Sequence, residues 1–171
     1  MPEQKTATGS LVRDVPKDLR PVDLDDVDRR VLTILHSDAR ISNSALAEAV
    51  GIAPSTCHGR VRRLQDLGGI RGFYADVDPA AIGLPLQAMI AVRLQAGARG
   101  RIRGFVAQIR RRPQVIDVYF LAGADDFLIH VAARDTDDLR SFVVDNLNAD
   151  ADVAGTQTSL IFEHLRGASP L

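Results

Sequence analysis

Apolar residues recur at helical spacing in three consecutive segments of the first half of the chain. In residues 24–38, four of them share one helical face: Val27, Val31, Ile34 and Leu35. A second helix is expected to begin after Ser42, whose hydroxyl suits an N-cap, and to end at Gly51. A third is expected to begin at Pro54, because the first turn of a helix tolerates the missing proline N–H. Two short helices joined by a tight turn predict a helix-turn-helix.

The third helix has two contrasting faces. Cys57, Val61 and Leu64 lie on one side, which we expect to pack against the second helix. The other side holds Ser55, Thr56, His58, Gly59, Arg62, Arg63 and Asp66. Arginine can donate two hydrogen bonds to a guanine edge or pair with a phosphate, and hydroxyl groups suit either task. We therefore predict that this helix enters the DNA major groove; the alternative is an ordinary solvated basic helix. The predicted DNA-binding residues are Ser44, Ser55, Thr56, His58, Gly59, Arg62 and Arg63.

Glycine positions refine this prediction. Gly59 would cost about 1 kcal/mol relative to alanine inside a helix, so close approach of the helix backbone to DNA is a functional reason for it. After Gly68 and Gly69, the run Ile70–Val77 alternates in polarity and is typical of a strand. Such a strand would form the wing of a winged helix-turn-helix domain over residues 23–78.

The second half of the chain changes to shorter apolar runs. Residues 79–85 predict a short turn that acts as a hinge. Strands are then predicted at 86–95, 115–123, 126–134 and 156–165, with helices over 99–112 and after Asp135 or Thr136. The order β-α-β-β-α-β is that of a ferredoxin-like domain, here residues 86–166. The predicted fold class is therefore α+β: a winged helix-turn-helix followed by a ferredoxin-like domain.

One face of such a sheet has no helices over it. We expect its apolar residues, Leu94 and Tyr119 or their alternate neighbours, to be exposed or covered by a second copy of the chain. A homodimer is the expected solution.

Charge does not by itself favour nucleic acid as a partner. The 171 residues have a formal net charge of −1, although nineteen of the 21 basic residues are arginine. Positive charge is therefore local, and oligomerisation would have to multiply a weak DNA site. The acid-free segment Arg99–Arg112 holds six arginines, which could contact DNA, bind an anionic effector, or form a solvated or inter-subunit face.

Candidate chemistry for an enzyme is sparse. The four histidines (His36, His58, His130 and His164) lack metal-ligand spacing, and no phosphate-binding glycine loop or nucleophile elbow is present. We expect neither an enzyme nor a cofactor or metal. The single cysteine, Cys57, excludes an intramolecular disulfide, fits a reducing cytoplasm and is expected to be a buried structural thiol rather than a redox sensor. No stretch approaches the roughly 18 apolar residues of a membrane span, and no signal-peptide core is present, so a soluble cytoplasmic protein is expected. Residues 1–22 are interpreted as a flexible leader and 167–171 as a tail.

The chain resembles the leucine-responsive/asparagine-regulator (Lrp/AsnC) family of transcription factors over about residues 24–165. The matching segments are LDDVDRRVLTIL, ARISNSALAEAVGIAPSTCHGRVRRLQDLGGIRGFYADVDPAAIGL, VIDVYFLAGADDFLIHV and TQTS. The resemblance implies an N-terminal DNA-binding domain, a C-terminal domain that binds a small molecule, commonly an amino acid, and dimers that often form octamers. It places the effector-binding residues at Gly123, Asp125, Asp126, Thr156 and Thr158.

The chain departs from the family pattern in two regions. Ala53 stands where the family usually has a serine cap, and His58 and Gly59 replace bulkier or charged residues, which indicates a distinct operator. In the effector loop, the sequence Gly123–Phe127 lacks the first acid and first aromatic of the family pattern.

Two other functions fit the same architecture. The sirohaem decarboxylases resemble this family in both domains, and in that case His130 and nearby arginines would serve a tetrapyrrole carboxylate. The other is an architectural DNA-binding protein without an effector. A tetrapyrrole absorption band would indicate the first, and weak sequence preference with indifference to amino acids the second.

Overall fold

The computed structural model describes residues 23–165, apart from the side chain of Arg99, and the chain divides into two compact units. The described residues up to Tyr74 belong to the first unit and those from Ala75 onward to the second. The predicted leader (1–22) and tail (167–171) lie outside the described residues.

The first unit is built from three helices around one apolar core. They are α1 (Asp26–Ser37), α2 (Asn43–Val50) and α3 (Pro54–Asp66). Asp25 caps α1 in a capping box with Asp28, and Ser42 caps α2 as predicted, its hydroxyl accepting from the Ala45 N–H at 3.2 Å. The core consists of Val31, Leu32, Leu46, Ala47, Val50, Cys57 and Leu64. The faces predicted for α2 and α3 are therefore confirmed.

The tight turn between α2 and α3 depends on Gly51. This residue has φ of +75° and ends α2, and the Ile52 N–H then donates back to the Ala47 carbonyl at 3.0 Å. Glycine is favoured there because a side chain is strained in the left-handed region. At the start of α3, the Asn43 side-chain amide donates to the Pro54 carbonyl at 2.8 Å and ties the two helix starts together.

The predicted wing strand, Ile70–Val77, is wrong. The described chain between α3 and residue 79 has no strand. Ile70 packs on the helical core, while Phe73, Tyr74 and Val77 are about half exposed or more. Apolar alternation alone does not make a strand: a strand needs a partner for its backbone groups, and none of the described strands pairs with this segment.

The second unit has the predicted β-α-β-β-α-β order. After a 3₁₀ turn at Pro79–Ile82, which matches the predicted hinge, the elements are β1 (Leu86–Leu94), a 3₁₀ segment (Ala96–Arg101), α4 (Ile102–Ile109), β2 (Val115–Phe120), β3 (Phe127–Ala133), α5 (Thr136–Val143) and β4 (Val153–Ile161). A π-helical turn, Val144–Asn148, extends α5. The antiparallel sheet has the order β2-β3-β1-β4, so the predicted ferredoxin-like fold is confirmed.

Two sequence-based details need correction. β4 begins three residues earlier than predicted, at Val153. Ala154 and Gly155 are poor strand formers, but a register shift after Arg93 lets Val153 pair with Leu94 of β1. Leu94 lies against the helix-side core rather than on the uncovered face, whereas Tyr119 is 44% exposed.

Both α4 and α5 cover the same side of the sheet. Phe105 and Ile109 of α4, and Leu139 and Phe142 of α5, pack on Ile90, Ile129 and their neighbours. The alternate residues of β3, Leu128 and His130, therefore point to the opposite face, which no described helix covers. Across the described residues, no helix is long and apolar enough to span a membrane.

Candidate nucleic-acid interface

The outer face of α3 presents the side chains predicted to contact DNA. Ser55, Thr56, His58 and Arg62 are all exposed, while Cys57 and Leu64 on the inner face are completely buried and fix which way the helix faces. A side chain added at Gly59 would meet no atom within 4 Å, so nothing in the first unit occupies the space outside this residue. The outer face of α3 is therefore polar and exposed.

The first turn of α3 lacks a side-chain N-cap. Ala53 has an extended backbone but gives no side-chain hydrogen bond to the helix, as predicted from its side chain. Ser44, another member of the predicted set, is exposed on the first turn of α2, one residue beyond Asn43. The first turns of both helices are thus linked through the Asn43 amide.

A completely buried carboxylate joins α1 to α3. Asp28 is 0% exposed and accepts from Nη1 of Arg60 and from Nη1 of Arg63, both at 2.8 Å. Arg60 Nη1 also pairs with the half-exposed Asp25 at 2.6 Å, and Arg63 Nη2 donates to the Asp23 carbonyl at 3.1 Å. We call Asp25, Asp28, Arg60 and Arg63 the carboxylate clamp.

The charges of the clamp stabilise one another. Burial by itself would raise the pKa of Asp28, but the hydrogen bonds from Arg60 and Arg63 outweigh it and hold that pKa below its usual value. The pKa of Asp25 is lowered by the Asp28 backbone N–H and by Arg60, and the pKa of Arg60 is raised by both carboxylates. Asp25, Asp28 and Arg60 are therefore charged at neutral pH.

The clamp separates the three arginines of α3 into two kinds. Arg60 and Arg63 are held by α1, whereas Arg62 is exposed and forms no ion pair among the described residues. Sequence analysis placed Arg63 with the DNA contacts and did not identify Asp28 as a partner. The available signal was the spacing: Asp25 and Asp28 are three apart at the start of α1, and Arg60 and Arg63 are three apart in α3, so each pair lies on one side of its helix.

Cys57 lies in the core between α2 and α3. It is completely buried, and burial raises the pKa of its thiol. A neutral, inaccessible thiol is a poor nucleophile, which supports the structural role predicted for it.

The predicted effector residues lie on two sides of β1, in the β2–β3 loop just before β3 and on β4. Gly123 and Asp125 belong to the loop between β2 and β3. The Asp126 carboxylate accepts from the Leu94 N–H at 2.7 Å, and the Asp126 N–H donates to the Val92 carbonyl at 3.0 Å. This carboxylate is therefore already engaged in fixing the loop to β1.

The two threonines lie on β4, on the other side of β1. Thr156 pairs in register with Val92, and its hydroxyl donates to the Asn148 side-chain oxygen at 3.1 Å. Thr158 lines an apolar groove of about 370 Å³ beside α5. None of the other four predicted effector residues lines this groove. That groove is lined by Thr136, Leu139, Arg140, Val143, Val144, Asn148 and Thr158.

His130 and the α4 arginines were the other residues of interest. His130 pairs with the Gln87 side chain at 3.0 Å on the uncovered sheet face, and burial lowers its pKa, with a smaller opposing effect from Asp117. No group of three metal-binding side chains occurs within residues 23–165. In the basic segment, Arg101 pairs with Asp152, while Arg111 and Arg112 border a shallow hollow of about 450 Å³ on α4.

Comparisons with known proteins agree with this division of the chain. Residues 24–65 match the model of the AsnC-type helix-turn-helix domain, and residues 87–170 match the model of the Lrp/AsnC ligand binding domain. A curated relative, the HTH-type transcriptional regulator AldR of Mycolicibacterium smegmatis, is 74% identical over 171 residues, which is 100% of both chains.

Solved structures show the same fold. The crystal structure of MtbAldR is 72% identical and superposes with a TM-score of 0.76, over 88% of this chain and 100% of that one. A transcriptional regulator from Neisseria meningitidis in complex with L-Met is 30% identical, with a TM-score of 0.78 over 87% of this chain and 96% of that one.

Proposed function

We propose that this chain, which belongs to the Lrp/AsnC family of transcriptional regulators, recognises its operator through the outer face of α3. The observation on which the proposal rests is that this face is exposed along its length and ends in an arginine, Arg62, that forms no ion pair among the described residues. A helix of this kind can lie in the major groove, where base edges differ from pair to pair.

Each side chain of the surface has a distinct task in this proposal. Arg62 donates to a guanine edge, and His58 and Ser55, which share its side of α3, contact neighbouring bases. Thr56 and Ser44, at the first turns of their helices, donate to phosphate and set the position of α3 on the duplex. Gly59 lets the helix backbone approach closely because no side chain intervenes.

A homodimer would place two copies of α3 on one face of the DNA. Half-sites for such a protein lie about 34 Å apart, one helical turn of B-DNA. Higher assembly, up to an octamer, would multiply a binding site whose local positive charge is small.

An amino acid is the proposed class of effector. The support is the Neisseria relative, whose structure is a complex with L-Met, together with the match of residues 87–170 to a ligand binding domain. The effector contacts are assigned to Gly123, Asp125 and Asp126, at the β2–β3 loop, and to Thr156 and Thr158 on β4, although the Asp126 carboxylate already accepts from the Leu94 N–H. Effector binding that changed the assembly would alter DNA affinity, typically by about 1–3 kcal/mol.

The operator can be tested by selecting bound duplexes from a random pool. The proposal predicts a two-fold symmetric consensus with half-sites one helical turn apart, and a Ser55→Ala, His58→Ala double variant that selects a different or degenerate consensus. A pool without enrichment would contradict sequence-specific recognition.

The effector can be tested on the selected duplex. Each of the twenty amino acids is added in turn, and the one that shifts the DNA affinity identifies the effector. If no amino acid shifts the affinity, the proposed effector class is contradicted.

No catalytic role is proposed for the chain. Its relatives are transcriptional regulators. His130, the residue considered for tetrapyrrole chemistry, already forms a hydrogen bond with the Gln87 side chain. Titration with a sirohaem-type tetrapyrrole should leave the Soret band of the free tetrapyrrole unshifted; a saturable shift of that band that the His130→Ala variant loses would contradict this.

A further inference from the structure

We propose that Asp28 and Asp25 determine DNA specificity by withholding two arginines of α3 from the phosphate backbone. This inference deepens the proposed function and rests on it. Without the carboxylates, α3 would present three arginines to DNA; with them, it presents Arg62 alone at full reach.

The geometry shows where the withheld charges lie. At about 100° per residue, Arg63 is about 100° and Arg60 about 160° round the helix axis from Arg62. Both lie on the flank of α3 that faces the start of α1. Their side chains are 47% and 27% exposed, and their guanidinium groups point to Asp28.

The withheld arginines have long side chains and strong affinity for phosphate. An arginine freed from its carboxylate keeps its charge at every physiological pH and forms a planar pair with phosphate oxygens. Asp28 prevents this with two hydrogen bonds of 2.8 Å inside the protein, where water does not compete at the carboxylate. The arrangement therefore reduces sequence-independent attraction while Arg62 remains available for base contact.

Specificity follows from an asymmetry between operator and random DNA. On the operator, base contacts fix the register of α3, so a freed arginine gains only if a phosphate lies within reach. On random DNA, the protein can shift to whichever register satisfies most phosphates. Freeing the arginines should therefore strengthen binding to random DNA more than binding to the operator.

The test compares full-length wild type with Asp28→Asn, using Asp26→Asn as the matched control. Asp26 is also in the first turn of α1 and its substitution changes the net charge equally, but it is exposed and outside the clamp. Affinity for the selected operator and for a scrambled duplex is measured over a series of salt concentrations. The slope of log affinity against log salt concentration reports the number of phosphate contacts, because each contact adds about 0.9 to its magnitude.

The proposal predicts that Asp28→Asn steepens the salt dependence by about 0.9 for each arginine that gains a phosphate and lowers the ratio of operator to scrambled affinity several-fold. Asp26→Asn should leave both quantities at the wild-type values. In the double variant Asp28→Asn, Arg63→Gln, part of the extra slope should disappear, a rescue that a loss of folding alone would not produce.

Three results would overturn the proposal: a slope and ratio for Asp28→Asn equal to those of Asp26→Asn, a flatter slope, or no reversal in the double variant. If Asp28→Asn does not fold, Asp25→Asn decides, because Asp25 is half exposed and releases Arg60 from one carboxylate only. Failure of the proposed function is distinguishable, since wild type would then not discriminate the operator from scrambled DNA.

Discussion

Asp28 is a charged group at 0% exposure, and its position explains why the start of α1 lies beside the middle of α3. A buried carboxylate is costly unless it is paired and hydrogen-bonded, and the Asp28 carboxylate has two arginine partners and also accepts from the Asp25 N–H. Removing its charge leaves two guanidinium groups without their main partner. The recognition helix is therefore held by a polar contact as well as by the apolar core.

The pH dependence of stability should show this contact. The folded-state pKa of Asp28 lies below the ordinary value of 3.8, so its contribution is fully present above that pH and is lost as pH falls through the lower folded value. At neutral pH we expect Asp28→Asn to lower the free energy of unfolding by about 2 kcal/mol, less than for a fully buried pair because the arginines are partly exposed.

Urea unfolding of both proteins between about pH 7 and pH 3 measures the effect. The gap between wild type and Asp28→Asn should narrow as the pH falls below about 4. A gap that is constant with pH would show that the charge of Asp28 is not the cause.

Gly59 makes a second prediction at the residue scale. It has a normal helical backbone with open space around it, so Gly59→Ala should stabilise the protein by about 0.5–1 kcal/mol. The same substitution should weaken operator binding, because the new methyl group lies where the helix approaches DNA. Gly104→Ala on the exposed face of α4 is the control: it should stabilise similarly without changing DNA affinity. Unchanged DNA binding by Gly59→Ala would remove the reason proposed for this glycine.

At the scale of elements, α3 begins without a side-chain N-cap, as the alanine at position 53 predicted. Ala53 already has the extended backbone of an N-cap, with φ −67° and ψ 145°. Ala53→Ser should therefore raise the unfolding free energy by about 1 kcal/mol, as the hydroxyl accepts from a free N–H of the first turn. Ser42→Ala should lower it by a similar amount, because the α2 cap is lost. Thermal unfolding of the pair measures both; equal melting temperatures for Ala53→Ser and wild type would contradict the prediction.

Local sequence signals were sufficient for most elements because each signal acts within the element. The apolar stripes of α1 to α3 and the glycine at residue 51 do not depend on distant residues. The predicted wing was wrong because a strand needs a partner for its backbone groups, which the apolar pattern of residues 70–77 does not supply. Similarly, the early start of β4 depends on the pairing of Val153 with Leu94 of β1, and the clamp depends on how α1 lies against α3.

At the scale of the whole molecule, the uncovered face of the second unit's sheet is where we expect a second copy of the chain to pack. Leu128 pairs in register with Ala91 and Tyr119 on this face, with no described helix above it. If a dimer forms there, Leu128→Arg should convert it to monomers, because a buried unpaired charge at an interface is costly. Leu160→Arg is the control, since Leu160 is 44% exposed on the helix side of β4. Light scattering measures the mass; equal effects of the two variants would place the interface elsewhere.

The measurement that most directly tests DNA recognition by α3 is fluorescence anisotropy on the selected operator and a scrambled duplex. Wild type is compared with Arg62→Ala and with Arg140→Ala, which removes an exposed arginine from α5 of the second unit. We predict that Arg62→Ala loses about 1–3 kcal/mol of binding, mostly on the operator, while Arg140→Ala binds both duplexes as wild type does. Equal behaviour of the two variants would contradict the assignment of α3 as the recognition helix.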